Sequence, residues 1–181
     1  MPGAVRVGIP DSNYATGQAS RRAVVRHIIV GRANSAISKF KNPASHTSAH
    51  FVISKAGAIT QLVSIYDSAY ANGLSWSVAE HCWIDPQGHL LKPPNPVPTW
   101  PLLEPPVNPN YTTVSIETEG YPQEIPTEPM DDACVRVMRY VASIFPLVYV
   151  PHRTLIGHYA ISPKSKPNCP GPHVAYGVLC A

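Results

Sequence analysis

The crowding of prolines in the middle of the chain restricts its fold more than any other feature. The chain has 181 residues and 21 prolines, about twice the usual share. One short window contains Pro93, Pro94, Pro96, Pro98, Pro101, Pro105, Pro106 and Pro109. Because proline lacks an N–H, this window can be neither a helix nor a central strand. With Trp76, Trp83 and Trp100, it forms either a stiff insertion that shapes a cleft or a polyproline loop packed on the surface.

Short apolar runs and helical patterns alternate on both sides of this window. The patterns predict strands over 23–30, 50–54 and 59–63, a last strand within 148–157, and helices over 33–41 and from residue 127. The 50–54 and 59–63 strands are joined by a Gly turn, which predicts a hairpin. Thr127 is predicted to cap the second helix. This order predicts one α/β domain over 1–181, with a mixed central sheet flanked by helices and a Pro-rich insertion at about 74–109.

Charge and hydropathy exclude several classes of partner. The formal net charge is +3 and only 14% of residues are charged, with no basic run of the kind that binds nucleic acid. No window approaches the roughly 18 apolar residues of a membrane span. Residues 1–20 lack the basic and apolar regions of a secretory signal. We therefore expect no nucleic-acid partner, no membrane insertion and no signal peptide.

One loop near the end of the chain offers two metal ligands. His158 and Cys169 delimit a segment rich in proline, which loses little backbone entropy on ordering. A thiolate with imidazoles suits zinc better than magnesium or calcium, which prefer oxygen ligands. The best third ligand is His27, in the β-branched run 24–30. The alternative for His27 is a core histidine hydrogen-bonded to a carbonyl.

A carboxylate and two further histidines are candidates for the same site. In the run 112–118, Thr113, Ser115 and Glu117 alternate with apolar residues, so Glu117 is expected to point from a wet face at the end of a strand. It is a candidate general base, the alternative being a solvated carboxylate. His50 is predicted to line the cleft, and His46 to be a loop residue.

Four segments in order carry a resemblance to a known family. They are the strand containing His27, Ser48–Ile53 with its Gly turn, Val114–Gly120, and Gly157–His158 followed by Cys169–Pro170–Gly171. Over about 23–172, with a poorly matching middle at 74–109, the chain resembles the zinc-dependent type 2 N-acetylmuramoyl-L-alanine amidases, which include phage endolysins and peptidoglycan recognition proteins. The family's α/β architecture is the one predicted above.

The resemblance assigns roles by position. It implies that His27, His158 and Cys169 bind Zn²⁺, three ligands leaving a fourth position open as in a catalytic site. Glu117 matches the glutamate proposed as general base. The family's oxyanion-stabilising lysine falls on Pro167, so Lys166, one residue earlier, is the candidate, with Lys164 as the fallback. Ala49 replaces a catalytic tyrosine of some phage relatives, which strengthens the case for Glu117.

The implied substrate is peptidoglycan. Residues matching the family's Trp-His segment, Tyr70 and Asn72 among them, are expected to border the substrate groove. The expected reaction is hydrolysis of the amide between N-acetylmuramic acid and L-alanine by a monomeric enzyme. A phage lysin made in the host cytoplasm and released to the wall, with bacteriolytic and antimicrobial activity, fits best; a cytosolic wall-recycling enzyme would look the same.

Two other functions remain open on the sequence. Cys169 could be the nucleophile of a cysteine hydrolase with His158 as its base. A non-catalytic peptidoglycan-binding module is the other class, although its inactive relatives typically lack the Cys ligand. Cys134 lies on the apolar face of a predicted helix and is predicted to be a core residue of the protein. A disulfide between Cys82 and Cys180 is possible.

Overall fold

The computed structural model describes residues 1–17 and 20–180, except for the side chain of Val178. The strands are β1 (Val5–Arg6), β2 (Tyr14–Ala15), β3 (Ala23–Ile28), β4 (Phe51–Ile53), β5 (Ile59–Gln61), β6 (Ser68–Ala69), β7 (Ser75–Ser77), β8 (Cys82–Ile84), β9 (Thr113–Thr118) and β10 (Leu155–Gly157). The α-helices are α1 (Ala33–Phe40), α2 (Glu128–Ala142) and α3 (Tyr176–Cys180). Four 3-10 turns lie at Asp11–Asn13, Pro43–Ser45, Pro109–Tyr111 and His158–Ala160.

A six-stranded mixed sheet forms the centre of the domain. Its order is β1-β5-β4-β9-β3-β10. β3 is parallel to both β9 and β10, and β4 is parallel to β9, whereas β4 and β5 form the predicted antiparallel hairpin. The predicted α/β class with a mixed central sheet is confirmed.

The two faces of β3 belong to different parts of the core. Val24 packs with apolar residues of α2, such as Val137, on one face. Val25 packs with Trp83 and Trp100 on the other face. Because alternate strand residues point to opposite faces, an apolar run of this kind must be covered on both sides. The next residue on the Val25 face is His27.

The proline-rich insertion supplies the second of these layers. β7 and β8 form a hairpin, and Trp100 is buried and donates from Nε1 to the Arg153 carbonyl at 2.8 Å. Residues 93–108, all within the described part of the chain, form neither helix nor strand, as predicted. The surface-loop alternative is wrong for Trp83 and Trp100, which are core residues, whereas Trp76 is only partly buried. Pro86 and Gln87 of the insertion line a cleft.

Three local expectations can be compared with the structure. Thr127 occupies the N-cap position of α2, but its hydroxyl donates to the Lys55 carbonyl instead of capping the helix, so the predicted side-chain cap is wrong. Cys134 is buried on α2, as predicted. All four cysteines belong to the described chain and are free thiols, so Cys82 and Cys180 form no disulfide.

Among the described residues, no helix is long and apolar enough to span a bilayer.

Candidate metal centre

The sheet topology brings three candidate residues to one edge. β3, β9 and β10 are parallel, so their carboxyl ends lie side by side, where open α/β sheets form their ligand sites. His27 is the penultimate residue of β3 and lies opposite Glu117 of β9. β10 ends at Gly157, and His158 follows it directly. Residues far apart in sequence therefore meet at one end of the sheet.

The ring nitrogens of His27 and His158 face each other. Their Nδ1 atoms are 3.0 Å apart, and both side chains are buried. Burial lowers the pKa of His158 to about 4, and burial followed by the neighbouring His158 lowers the pKa of His27. Both rings are therefore neutral near pH 7. The Nε2 of His158 donates to the Asn72 carbonyl at 3.1 Å, which leaves its Nδ1 as a lone pair directed at His27.

Neither tautomer of His27 satisfies both of its nitrogens. Within the described chain, its buried Nε2 has no hydrogen-bond partner. If Nδ1 carries the proton it can donate to His158, but Nε2 is then an unpaired acceptor; if Nε2 carries the proton, two lone pairs face each other at 3.0 Å. Such arrangements are costly in a buried site. A cation between the two Nδ1 atoms would turn the second tautomer from repulsive to attractive.

Cys169 adds the third candidate ligand. The Nδ1 or Nε2 atoms of the two histidines and the Cys169 sulfur all lie within 4.8 Å of one another. The Ile28 N–H donates to this sulfur at 3.3 Å, and the Tyr159 N–H donates to the Cys169 carbonyl at 3.0 Å, which closes the loop between the two ligands. Burial raises the pKa of the Cys169 thiol to about 12. Without a neighbouring cation the thiol stays protonated at neutral pH.

The donor set fits zinc. Two imidazoles and one thiolate are borderline-soft ligands, and three protein ligands with one open position are the pattern of a catalytic rather than a structural zinc site. The hydrogen bonds from His158 to Asn72 and from Ile28 to Cys169 are the outer contacts that orient such ligands. The structure thus brings together all three residues that the sequence proposes as ligands.

Glu117 lies beside these three residues in the same cleft. It is half-buried, and no described group hydrogen-bonds its buried Oε2. Burial raises the pKa of Glu117 to about 7, an effect partly opposed by Lys166 and Lys39. The predicted wet face is wrong, because Thr113 and Ser115 are each 1% exposed. The polar face of β9 is a buried polar layer that opens only at Glu117.

The cleft has a volume of about 770 Å³ and extends away from the candidate ligands. Tyr70 and Asn72 line it, as does Lys166, which belongs to the loop between His158 and Cys169. Tyr70 and Asn72 therefore lie where the sequence predicts them, although their contact with a substrate stays a prediction. Lys166 reaches the cleft despite its shifted spacing; its catalytic role is likewise a prediction.

His50 is a structural histidine, and its predicted place in the cleft is wrong. It is 1% exposed and is absent from the described lining of the cleft. Its Nδ1 accepts from the Ser115 N–H at 3.0 Å and its Nε2 donates to the Asp67 carbonyl at 3.0 Å. Burial, and then the neighbouring Arg21, lowers its pKa to about 3. Both ring nitrogens are satisfied by protein atoms, so nothing is left for a ligand.

Several cleft residues escape sequence reasoning. His46, predicted only as a loop residue, lines the cleft, and so do Lys39 of α1 and Val30 after β3. The tip of the insertion contributes Pro86 and Gln87. The polar face of α1 was the one available signal, because a helix that follows a ligand-bearing strand can turn such a face to the site.

Comparison with known proteins identifies the family. The family model of N-acetylmuramoyl-L-alanine amidases (Amidase_2) matches residues 17–172. N-acetylmuramoyl-L-alanine amidase A of Achromobacter lyticus is 42% identical over 60 residues, which are 33% of this chain and only 34% of that protein. The chain thus matches about a third of the length of this curated relative.

Several solved structures share the fold, among them the following two. The selenomethionine derivative of AmpD superposes with a TM-score of 0.68 at 19% identity, over 100% of this chain and 96% of AmpD. The endolysin N-acetylmuramoyl-L-alanine amidase LysCS of Clostridium intestinale URNW gives 0.57 at 16% identity, over 99% of this chain and 93% of that one. Since the family model covers most of the chain, the protein belongs to the N-acetylmuramoyl-L-alanine amidase family.

Proposed function

We propose that the chain is a zinc-dependent amidase that hydrolyses the bond between the lactyl group of N-acetylmuramic acid and the L-alanine of the peptidoglycan stem peptide. The observation that carries this proposal is the convergence of His27, His158 and Cys169 within 4.8 Å on the floor of a cleft that also contains Glu117. Membership of the amidase family supports the choice of bond.

The three candidate ligands would hold the ion, and Glu117 would move the proton. Bound there, zinc would polarise the scissile carbonyl and lower the pKa of a coordinated water to about 7. Glu117 then takes the proton of the attacking water and returns it to the leaving amine of L-alanine. Burial raises the pKa of Glu117 above the usual value of a carboxyl group, and a group that titrates nearer the working pH can both accept and release a proton.

Lys166 is proposed to stabilise the oxyanion that develops on the scissile carbonyl. It lines the cleft and is close enough to oppose the rise of the Glu117 pKa. A cation aimed at the developing charge in a site of this kind contributes more than it would in water.

The two alternative functions have less support. A cysteine nucleophile needs its thiolate, yet burial raises the pKa of Cys169 to about 12, and the Nδ1 of His158 faces His27. A non-catalytic wall-binding module needs no candidate general base beside three converging ligands.

We further propose that the protein is a phage lysin that acts as a monomer on peptidoglycan, made in the host cytoplasm and released to the wall, with bacteriolytic and antimicrobial activity. The fold shared with the endolysin LysCS supports this role, and the net charge of +3 favours approach to an anionic wall. The shared fold with AmpD leaves wall recycling as the competing role. Lysis of intact cells by added protein would support the lysin role; activity on soluble muropeptides alone would contradict it.

Purified protein tests the amidase proposal through the chemical ends that it releases. Incubation with peptidoglycan should expose free L-alanine amino termini, zinc chelation should stop the reaction, and zinc should restore it. The cysteine-hydrolase alternative predicts inhibition by a thiol alkylator but not by the chelator. A wall-binding module would sediment with peptidoglycan and release no new termini.

A further inference from the structure

Val30 combines two properties that are unfavourable for folding. Its φ is +56°, in the left-handed region that β-branched residues rarely adopt, and its side chain is 60% exposed. Its side chain belongs to none of the apolar clusters of the described chain. Burial of the side chain therefore does not offset the cost of this backbone conformation, which glycine or asparagine would adopt more easily.

The backbone around Val30 is fixed from both sides. The Ile29 N–H donates to the Thr118 carbonyl at 3.0 Å, and Gly31 and Gly120 exchange two hydrogen bonds of 3.0 Å each. The first bond extends the parallel pairing of β3 with β9, whereas Gly31 and Gly120 form an isolated antiparallel bridge. Val30 lies between these two pairings, which together fix its conformation. A strained residue that its surroundings over-determine is a reason to look for function at that position.

Val30 lies in the cleft close to the candidate ligands. It lines the same cleft as His27, Glu117 and Cys169. The N–H of Ile28, two residues earlier, contacts the Cys169 sulfur at 3.3 Å. Two residues of chain span at most about 7 Å. The backbone of Val30 therefore lies within roughly 10 Å of the Cys169 sulfur, and its exposed isopropyl group is an apolar surface of the cleft that contains the proposed reaction centre.

We propose that Val30 is a specificity-determining residue that contacts the methyl group of the first stem-peptide residue. This inference rests on the proposed amidase function. The scissile amide of muramoyl-L-alanine has one methyl group on each side, and the alanine methyl is what distinguishes this substrate from its glycine analogue. An apolar side chain fixed beside the reaction centre selects for that methyl, and one methyl group in such a pocket is worth a factor of about 10 or more.

The test compares Val30→Gly with wild type on N-acetylmuramoyl peptides that carry L-alanine or glycine at the first position. Wild type should favour alanine in kcat/KM by about tenfold. Val30→Gly should lose most of this preference, through slower hydrolysis of the alanine substrate, while its melting temperature does not fall because glycine accepts the positive φ.

Val148→Gly is the matched control. Val148 is 78% exposed, lies outside the cleft lining and is not among the residues with positive φ. This substitution should keep the wild-type preference and lower the melting temperature slightly. If Val30→Gly retains the full preference while wild type hydrolyses both peptides, the inference about Val30 is overturned and the amidase function stands. If zinc-loaded wild type hydrolyses neither peptide, the proposed function fails and the inference with it.

Discussion

His50 and the pair of His27 and His158 are buried to a similar degree but differ in what their ring nitrogens contact. Both nitrogens of His50 are satisfied by protein atoms, the Ser115 N–H and the Asp67 carbonyl. In the pair, two Nδ1 atoms face each other at 3.0 Å and the Nε2 of His27 has no partner among the described residues. Burial alone therefore does not identify a ligand. A buried histidine is a candidate metal ligand when one ring nitrogen has no hydrogen-bond partner and a ring nitrogen faces another atom that can bind a metal.

Of the substitutions that test this difference, Cys169→Ser should have the largest effect, because it removes the ligand proposed to bind the metal together with His27 and His158. Serine keeps the size of the side chain but replaces the soft thiolate with a hydroxyl, a poor zinc ligand. We expect loss of bound zinc, loss of hydrolysis and a lower melting temperature, because metal binding is coupled to folding. Elemental analysis and thermal unfolding measure these quantities. Cys134→Ser, in the core but away from the cleft, is the control that should keep its zinc; unchanged zinc content in Cys169→Ser would count against the site.

Glu117→Gln should come next, with a decrease in kcat of about 10²–10⁴-fold and retained zinc. The amide preserves the shape of the side chain but cannot accept the proton. In active wild type the bound zinc favours the carboxylate of Glu117, so activity should decline below pH 7 as Glu117 becomes protonated. A pH profile of both proteins measures this. An unchanged rate in Glu117→Gln would remove Glu117 from the mechanism.

Lys166→Met should lower kcat by about 10²–10³-fold, the usual cost of removing one oxyanion-stabilising group. KM and zinc content should change little, because the interaction forms mainly in the transition state. Lys164→Met is the matched control on the same loop. A larger loss in Lys164→Met than in Lys166→Met would show that Lys164, and not Lys166, stabilises the oxyanion.

His50→Gln should have the smallest effect on catalysis, within about twofold, but a clear effect on stability. Removing one partner from this buried network costs about 1–3 kcal/mol. Because the folded-state pKa of His50 is about 3, below its ordinary 6.5, the unfolded chain binds the proton first as the pH falls. The contribution of neutral His50 is therefore complete above about pH 6.5 and is lost towards pH 3, by about 1.4 kcal/mol per pH unit.

Denaturant unfolding at several pH values checks this difference between wild type and His50→Gln. The variant should have a shallower decrease in stability between pH 6.5 and 4, since one neutral buried histidine is missing. Its zinc content should equal that of wild type. Zinc loss in His50→Gln would place His50 with the ligands and contradict the distinction between the two histidine environments.

Local patterns were sufficient to predict the fold class, and together with the family resemblance they selected the three residues that meet at the sheet edge. β3, the β4–β5 hairpin and α1 follow from apolar runs, a Gly turn and helical spacing. His27, His158 and Cys169, which the family resemblance assigns as ligands by position, have candidate ligand atoms within 4.8 Å of one another. Their role as ligands stays a prediction. The structure explains why they meet: β3 and β10 are parallel, so their carboxyl ends lie at one edge of the sheet, a pairing that no local pattern predicts.

The predictions from sequence failed where contacts between residues distant in the chain determine burial, hydrogen bonding or backbone conformation. Alternation in β9 marks Thr113 and Ser115 as polar, but only the tertiary structure shows that both are buried, Thr113 against Asn72 and Ser115 against His50. The hydroxyl of Thr127 bonds to the distant Lys55 carbonyl, a partner that no local pattern reveals. The strained conformation of Val30 depends on hydrogen bonds between Gly31 and Gly120, about ninety residues apart in sequence.

A crystal structure of the zinc-loaded protein, with anomalous data at the zinc edge, tests the central claim most directly. We predict one ion bound by the Nδ1 atoms of His27 and His158 at about 2.0–2.1 Å and by the Cys169 sulfur at about 2.3 Å, with one open position facing Glu117. An ion held by His50 or His46 instead, or no ion at the edge formed by β3 and β10, would contradict it.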